Sequence, residues 1–299
     1  MVYDYIIVGG GPSGATAAYC LQRRGFSCLL LEAQSPKLEK TCGGYLTWTG
    51  VKLLKSIGLD PEVLLCRGAC RLDSLLIQRA GIGSLHNYHS GEFGIGTRRL
   101  LLDQWLLDCA ADTGVDIKYG CAVNKYSDVA DGYNVMGFTG RHIVFATGAR
   151  GFSSLADQQA LRSQTFGISA QIYCEGTSTL QCNRIYFWFL QSGFNDYFWA
   201  IPIGASLWNI GIWLQRPSRQ AKVLFEENQR RWIDPEMAEW HYIRPPMGAF
   251  CGNVDLSKNL PTGCYGLGDF AGCNITETGE GLRYAIASAI SFASQTEGE

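Results

Sequence analysis

The residues best suited to chemistry lie at the two ends of the chain, and the first group is rich in glycine. An apolar run, Tyr3 to Val8, leads into Gly9–Gly14, then a helical stretch and a second apolar run closed by Glu32. The first glycine lets the chain turn, the third lets backbone approach a pyrophosphate, and the last lets helix pack on strand. The helix N-terminus stabilises the anion, and the acidic residue would accept hydrogen bonds from a ribose. The pattern predicts a dinucleotide site built from Gly9, Gly11, Pro12, Ser13, Gly14 and Glu32.

The second group lies far downstream and completes the cofactor. Tyr265 to Asp269 is predicted to be a strand that ends in an acidic residue, and Thr278-Gly279-Glu280-Gly281 begins another helical run. A simple NAD dehydrogenase has no use for this second pair, so the two ends together predict FAD. The acidic residue at 269 is equally compatible with a plain helix N-cap. The expected cofactor contacts here are Gly268, Asp269, Gly279, Glu280 and Gly281.

Length and composition indicate an ordinary globular protein. The 299 residues are 46% hydrophobic and 17% charged, with a formal net charge of -2, which favours neither nucleic acid nor an anionic membrane surface as a partner. No signal peptide and no membrane-spanning run is predicted, so we expect a cytoplasmic protein, with peripheral membrane association left open. The 12 cysteines are expected to be buried thiols rather than a disulfide scaffold or a metal site, as for Cys20, Cys28 and Cys109.

Between the two glycine groups the periodicity changes twice, which predicts two domains that interleave in sequence. Arg99 to Ala111 has helical spacing, and Val115 to Val123 alternates like a strand. Phe166 to Leu214 is strand-like and strongly aromatic, and a helix is expected from Ser218 to Trp232. The predicted fold class is α/β: a Rossmann-type FAD-binding domain (residues 1–65, 97–165 and 252–299) interleaved with an antiparallel-sheet substrate domain (66–96 and 166–251).

Two further segments are expected to contact the cofactor. His142 to Phe145 looks like a strand that runs into a tight turn, at the place where a nucleotide-binding sheet closes over its ligand. An earlier predicted strand, Val115 to Val123, ends at Val123, and Tyr133 to Met136 is predicted to be a further strand between the two. These segments add Val123, Ala146, Thr147 and Gly148 to the expected cofactor contacts.

Nearly the whole chain resembles the geranylgeranyl reductase family of FAD proteins, within the wider group that contains p-hydroxybenzoate hydroxylase. The resemblance rests on the two glycine groups and on three other places: Lys40-Thr41-Cys42-Gly43-Gly44, Arg99 with Asp103, and Tyr197 to Pro202. It implies that Cys42, Gly43 and Gly44 lie near the flavin ring and that Arg99 contacts the cofactor. Tyr197-Phe198-Trp199-Ala200-Ile201-Pro202 is similar to the family's Y-x-W-x-F-P substrate-pocket motif.

The resemblance makes Cys42, Tyr197 and Trp199 the candidate catalytic residues. A thiol at position 42 could donate a proton or attack substrate, although a small residue that only packs against its neighbours is an equal alternative. Tyr197 and Trp199 share one face of a strand and could line the substrate pocket. Aromatic residues also fill the cores of sheets, so this alternative stays open as well.

The function implied by the resemblance is reduction of a C=C bond in a hydrophobic, isoprenoid-like substrate by hydride from flavin N5. The alternative is a flavin-dependent monooxygenase or halogenase-like enzyme acting on an aromatic, carrier-bound or protein-bound substrate. Tyr197 to Pro202 supports that alternative, because it is also close to the W-x-W-x-I-P of flavin halogenases. A non-enzymatic flavin-binding scaffold or sensor is a third interpretation.

Two departures from the family pattern shape further expectations. Arg150-Gly151 stands where the group usually has Asp-Gly, and no second nucleotide fingerprint appears. We therefore expect an external electron donor, such as a flavin reductase, ferredoxin or NAD(P)H, with slow direct reduction by the nicotinamide. The chain also ends at Glu299, without the C-terminal segment common in these reductases, which predicts a more open pocket.

Overall fold

The protein is described from a computed structural model, which covers residues 1–35, 38–149, 165–192, 195–216, 218–251, 254–274 and 280–296. Two seven-stranded sheets and one small three-stranded sheet form its framework. The predicted fold class is confirmed, since one large sheet is mainly parallel and the other mainly antiparallel. The residue boundaries of the two domains stay a prediction.

The first sheet carries the N-terminal glycine turn at the end of its central strand. Its strands, in spatial order, are β8 (Asp116–Tyr119), β2 (Cys28–Glu32), β1 (Val2–Val8), β11 (Phe138–Phe145), β10 (Gly132–Val135) and β9 (Ser127–Val129), and β17 (Cys264–Gly266) also pairs with β11. The five strands β8, β2, β1, β11 and β17 run parallel, whereas β10 pairs antiparallel with both β11 and β9. Because both faces are covered, the side chains of Tyr5–Val8 in β1 and Cys28–Leu31 in β2 are apolar and buried.

Helix α1 (Pro12–Arg23) covers one face of this sheet and is flanked by α4 (Arg99–Asp112) and α6 (Gly281–Gln295). Helix α2 (Trp48–Ser56) packs on α6, and α3 (Val63–Cys66) adds Leu64 to the same apolar core, whereas α5 (Ala221–Trp232) lies on the second sheet. Helix α1 packs between α4 and α6, and its buried alanines permit this close approach. The sequence predicts a helix from Ala15 to Arg24, but the helix begins at Pro12, because the fixed φ of proline suits the first helical position.

The second sheet has two faces with different neighbours. Its strands, in spatial order, are β16 (Trp240–Cys251), β12 (Thr165–Cys174), β15 (Leu207–Leu214), β14 (Tyr197–Gly204), β13 (Arg184–Phe189), β5 (Ser74–Arg79) and β6 (Ile82–Asn87). One face packs on α5, where Phe198 meets Phe225. The opposite face presents Tyr197, Trp199 and Ile201.

The small sheet joins the two large ones. It consists of β3 (Tyr45–Leu46), β7 (Gly94–Gly96) and β4 (Cys70–Leu72), in the order β3-β7-β4. Strand β7 lies directly on β14: a Cβ placed on Gly96 would be only 1.9 Å from the carbonyl oxygen of Pro202. This contact brings the Tyr197 face of the second sheet towards the glycine turn of the first.

Two predicted elements are shorter than expected. Strand β8 ends at Tyr119 because its partner β2 ends at Glu32, so Val123 lies beyond the strand. Helix α5 begins at Ala221, since Ser218 accepts the N–H of Gln220 in a preceding turn.

The cysteine predictions are confirmed in part. All 12 thiols are free, but Cys20 and Cys109 are only partly buried, whereas Cys28 is fully buried. Within the described ranges no cluster of His, Cys, Asp and Glu could hold a metal, and no helix is long and apolar enough to cross a membrane.

Candidate active site

The glycine turn between β1 and α1 is fixed by backbone packing at two of its three key positions. Gly9 has φ of +105°, and a Cβ there would lie 2.5 Å from the carbonyl oxygen of Ala146. A Cβ on Gly14 would lie 1.9 Å from the carbonyl oxygen of Gly9. Gly11 is different, because a Cβ there would meet only Lys40 Nζ, at 3.6 Å. Among the described residues, space therefore lies open in front of the helix N-terminus, with the Lys40 cation beside it.

Glu32 holds this turn from the end of β2. Its Oε2 accepts the backbone N–H of Gly10 at 2.8 Å, and its Oε1 accepts that of Gln34 at 2.8 Å. The side chain is buried, and its backbone carbonyl accepts the N–H of Cys121 at 2.9 Å. The carboxylate therefore accepts hydrogen bonds from two backbone donors at the edge of the turn.

The C-terminal glycine motif lies against the same helix end. Gly268 has φ of +60°, and a Cβ there would lie 2.7 Å from Ser13 Oγ. Asp269 follows inside a short 3-10 helix, Gly268–Phe270, whose N-cap is Leu267. Asp269 is therefore not a helix N-cap; that position at the start of α6 belongs to Glu280, which forms an ion pair with Arg283 at 2.8 Å.

The loop that carries Cys42 is clamped at its start by charged side chains. The Glu39 carboxylate accepts the backbone N–H groups of Arg99 and Leu100 at 2.8 and 3.2 Å, and so caps the first turn of α4. From β16, Arg244 donates to the carbonyl oxygens of Glu39 and Lys40 at 3.0 and 3.1 Å. Helix α4 and the second sheet therefore both hold this segment.

Cys42 itself is held through its peptide groups. Its N–H donates to Ser169 Oγ at 3.2 Å, and its carbonyl accepts Asn209 Nδ2 at 2.8 Å. Its Sγ accepts the N–H of Gly44 at 3.5 Å. A Cβ on Gly43 would be 3.1 Å from Ile201 Cδ1, so the loop lies flat on the Tyr197 face of the second sheet.

Arg99 lies behind this loop in a buried ion pair. Its Nε and Nη2 donate to the two carboxylate oxygens of Asp103 at 2.9 and 3.0 Å. Burial opposes its charge, but Asp103 and Cys42 outweigh that effect and raise the pKa of Arg99 above its ordinary value. The guanidinium is thus engaged by chain residues of α4 and of the Cys42 loop.

Tyr197 and Trp199 project from β14 towards the Cys42 loop. Burial raises the pKa of Tyr197 well above its ordinary value, with further contributions from Cys251, Glu280 and Cys42. The phenol therefore stays protonated at neutral pH. The Trp199 indole N–H donates to Asn209 Oδ1 at 2.8 Å.

Three buried polar atoms near these motifs have no hydrogen-bond partner in the part of the chain that the structure describes. They are Thr147 Oγ1, in the turn after β11, together with Asn274 Oδ1 and Arg283 Nε, beside the start of α6. Buried polar atoms are nearly always hydrogen-bonded, so these three are suited to a polar ligand.

Comparisons with known proteins agree with this arrangement. A family model described as an FAD binding domain matches residues 3–119. The chain is 23% identical to digeranylgeranylglycerophospholipid reductase 1 of Methanococcoides burtonii, over 96% of this chain and 72% of the relative. It is 24% identical to a menaquinone reductase of Mycobacterium tuberculosis, over 95% and 74%.

Solved structures show the same fold. A geranylgeranyl bacteriochlorophyll reductase-like protein from Thermoplasma acidophilum superposes with a TM-score of 0.80 at 19% identity, covering 98% of this chain and 77% of that one. A flavin-dependent brominase gives 0.76 at 16% identity, covering 98% and 79%.

The chain is an FAD-dependent oxidoreductase, and it is similar to reductases of the geranylgeranyl type. The residues present fit FAD on three structural grounds. The helix N-terminus in front of Gly11 is open and has Lys40 beside it, as a pyrophosphate requires. Glu32 presents a buried carboxylate at the end of β2, and the partnerless polar atoms include Thr147 Oγ1 in the adjoining turn.

Most of the predicted site residues lie around this one region of this flavoprotein. Val123 lies in the segment after β8 and packs on the far side of the first sheet, near Cys121. Thr278, Gly279 and Arg150-Gly151 lie outside the described residues. The sequence places His241 between Trp240 and Tyr242 near the predicted pocket, but in the structure its side chain is exposed and lies 3.2 Å from the Glu175 carboxylate.

Sequence reasoning missed two residues that hold the site together, Asn209 and Ser169. Both are fully buried polar residues on an otherwise aromatic sheet face. The signal for Asn209 is present in the sequence, as a lone polar residue in the apolar strand Leu207–Leu214.

Proposed function

We propose that this flavoprotein reduces a C=C bond in a hydrophobic, isoprenoid-like substrate. The observation that carries the proposal is the contact between the Cys42 loop and the buried aromatic face of β14, through Ile201 and Trp199. Reduced FAD, when bound, supplies a hydride equivalent from N5. A cofactor cradle and an apolar wall then lie on the two sides of one short loop.

The chain's own residues have distinct tasks in this proposal. Gly11, Ser13 and the start of α1 bind the pyrophosphate, and Glu32 accepts hydrogen bonds from the ribose. Asp269 and the Glu280–Gly281 start of α6 lie on the other side of Ser13 and orient the ring end of the cofactor. The Cys42 thiol donates the proton that completes reduction of the double bond. Tyr197, which stays protonated, contributes a hydrogen-bond donor and apolar surface to the pocket.

The relatives' names support the substrate class. One is called a digeranylgeranylglycerophospholipid reductase and the other a menaquinone reductase, and both names denote hydrophobic substrates. The wall offered by this chain suits such molecules, because Tyr197, Trp199 and Ile201 are buried and apolar along most of their surfaces. The electron donor is proposed to be a separate protein or reduced flavin, as expected from Arg150-Gly151.

A second candidate is an oxygen-using enzyme of the monooxygenase or halogenase kind. It is favoured by the similarity of fold to a flavin-dependent brominase and by the sequence Tyr197 to Pro202. An aromatic, carrier-bound or protein-bound substrate would then contact the same wall.

One experiment separates the two candidates. The purified flavoprotein is reduced with dithionite under nitrogen, and recovery of flavin absorbance is followed after adding geranylgeraniol, menadione or air-saturated buffer. The reductase requires fast reoxidation by geranylgeraniol, with the product of C=C reduction detected by mass spectrometry, and slow reoxidation by air. Reoxidation by menadione alone, which yields a hydroquinone, does not support C=C reduction. Fast reoxidation by air without alkene or quinone turnover contradicts the reductase and supports the oxygenase.

A further inference from the structure

A chain of hydrogen bonds runs from the aromatic wall to the backbone of Cys42. The Trp199 indole N–H donates to Asn209 Oδ1 at 2.8 Å, and Asn209 Nδ2 donates to the Cys42 carbonyl at 2.8 Å. On the other side of Cys42, its backbone N–H donates to Ser169 Oγ at 3.2 Å. Asn209 and Ser169 are 1% and 0% exposed, so water does not compete for these bonds.

The register of the second sheet explains how the indole reaches Asn209. Trp199 on β14 lies opposite Gly211 on β15, and Ile201 lies opposite Asn209. A Cβ on Gly211 would be 2.1 Å from Trp199 Cζ2, so only glycine lets the ring lie across β15. The ring then points along the sheet, and its N–H meets the carboxamide two residues before the glycine.

The chemistry of the two side chains fixes the direction of the carboxamide. An indole nitrogen only donates, so it must face the oxygen of Asn209. The NH₂ group is thereby turned towards the Cys42 carbonyl, which only accepts. Trp199 consequently determines which way Asn209 points, and Asn209 determines where the Cys42 carbonyl lies.

We propose that Asn209 is a positioning residue that sets the conformation of the Cys42 loop, with Trp199 acting through it. The proposal rests on the proposed function in one respect, since that function makes the Cys42 thiol the proton donor. Trp199 is thereby a support for the loop as well as part of the apolar wall. Loss of the Asn209 donor releases the Cys42 peptide and leaves the rest of the sheet intact.

The chain offers a matched control on the opposite face of the same sheet. In α5, Asn228 accepts the Trp232 indole N–H at 3.3 Å and donates to the Leu224 carbonyl at 2.8 Å. It is 9% exposed, and its contacts are of the same kind as those of Asn209. These hydrogen bonds of Asn228 involve none of the proposed site residues. Substituting Asn228 therefore measures only how much stability a buried Trp–Asn hydrogen bond contributes.

The test compares Asn209→Asp with Asn228→Asp in the FAD-loaded protein. Each change replaces the NH₂ donor by an acceptor of the same shape. The rate of Cys42 alkylation by iodoacetamide is measured by mass spectrometry of its peptide, together with the flavin absorption spectrum and the melting temperature. Asn209→Asp should raise the Cys42 alkylation rate about tenfold and shift the flavin spectrum, as loss of a buried hydrogen bond predicts. Asn228→Asp should lower the melting temperature and leave both Cys42 readouts within about twofold of the parent.

A second pair of variants keeps the test decisive if Asn209→Asp does not fold. Trp199→Phe removes the N–H that orients Asn209 while keeping an aromatic ring, and Trp232→Phe is its control. Trp199→Phe should also speed Cys42 alkylation and change the flavin spectrum, whereas Trp232→Phe should not. Cys42 readouts within about twofold of the parent in the folded site variant overturn the proposal, and leave Asn209 a packing residue.

None of these measurements uses an alkene or oxygen. A protein that fails to reduce any alkene or quinone but shows the Cys42 effect contradicts the proposed function alone. Alkene reduction without the Cys42 effect contradicts the role of Asn209 alone.

Discussion

Glu32 Oε2 accepts the backbone N–H of Gly10 at 2.8 Å, so the carboxylate at the end of β2 holds the turn that begins at the end of β1. The two strands are neighbours in the parallel sheet, and their carboxyl ends therefore meet at one edge. The residue proposed to bind the ribose thus also fixes the backbone that faces the pyrophosphate. A substitution at Glu32 should therefore disturb cofactor binding both at the ribose and at the pyrophosphate.

We expect Glu32→Gln to weaken FAD binding. The amide keeps one acceptor but sets an NH₂ group against a backbone N–H donor, of Gly10 or of Gln34. Loss of a charge-assisted hydrogen bond amounts to about 1.5–3 kcal/mol, or a rise in the FAD dissociation constant of about tenfold or more. The constant is measured by flavin fluorescence on titrating the apoprotein.

Glu62→Gln is the control for this prediction, because Glu62 is exposed and pairs with Lys55 on the surface. Equal dissociation constants in both variants would show that Glu32 does not contact the cofactor.

Two glycines of the same turn should respond differently to alanine. At Gly14 the new Cβ meets the Gly9 carbonyl oxygen at 1.9 Å, a backbone clash that cannot relax, so Gly14→Ala should destabilise even the apoprotein by about 3 kcal/mol. At Gly11 the new Cβ meets only Lys40 Nζ, at 3.6 Å, so Gly11→Ala should cost about 1 kcal/mol or less as a weaker helix cap.

The decisive comparison is between apoprotein stability and FAD affinity. Gly11→Ala should leave a folded apoprotein that binds FAD at least about tenfold more weakly, because the methyl group occupies the space in front of the helix. Urea unfolding and flavin titration measure the two quantities. Unchanged FAD affinity in Gly11→Ala would move the pyrophosphate away from this helix end.

Local sequence patterns were sufficient to predict individual strands, turns and helices of the site. Gly9–Gly14 and Glu32 are close in the chain, and the strand-turn-helix-strand order around them determines their geometry. The aromatic strand of Tyr197 and Trp199 was also recognised, because alternation is a local property. The structure adds which face of that strand turns towards the Cys42 loop.

Local sequence patterns could not predict the long-range contacts that hold the Cys42 loop. The bond from Asn209 to Cys42 spans 167 residues of chain, and that from Cys42 to Ser169 spans 127. Only the sheet register, with Gly211 opposite Trp199, brings these groups together. Val123 shows the opposite error: alternation continued past Tyr119, but the partner strand β2 had already ended at Glu32.

We expect Cys42→Ser to keep FAD but to slow substrate reduction. The loop is held mainly by the peptide groups of Cys42, and a serine Oγ can replace Sγ as acceptor of the Gly44 N–H, so the loop should keep its fold. A hydroxyl is a much poorer acid than a thiol, and loss of a general acid slows turnover by about 10² or more. Flavin content and single-turnover reoxidation by the alkene are the measurements, with the exposed Cys66→Ser as control. Equal rates in both variants would leave Cys42 a packing residue.

Stability should fall at alkaline pH, in part because of Cys28. This thiol in β2 is 1% exposed, and burial, with a smaller contribution from Asp4, raises its pKa from 9.0 to about 12. The folded chain therefore keeps this proton at pH values where the unfolded chain has lost it. The stabilisation is complete below the unfolded pKa and is lost as the pH rises through the folded one, by about 1.4 kcal/mol per pH unit for one group.

The contribution of Cys28 is isolated by comparing slopes rather than absolute stabilities. Other buried groups, such as Cys264 and Tyr133, shift in the same direction, so the parent and every variant should lose stability on alkalinisation. Cys28→Ala removes one titrating group, and its unfolding free energy should fall less steeply between about pH 9 and about pH 11 than that of the parent. The exposed Cys66→Ala should follow the parent slope, since its thiol faces solvent. Urea unfolding under reducing conditions at several pH values gives the slopes. Parallel curves for Cys28→Ala and the parent would mean that Cys28 ionises as readily in the folded chain as in the unfolded one.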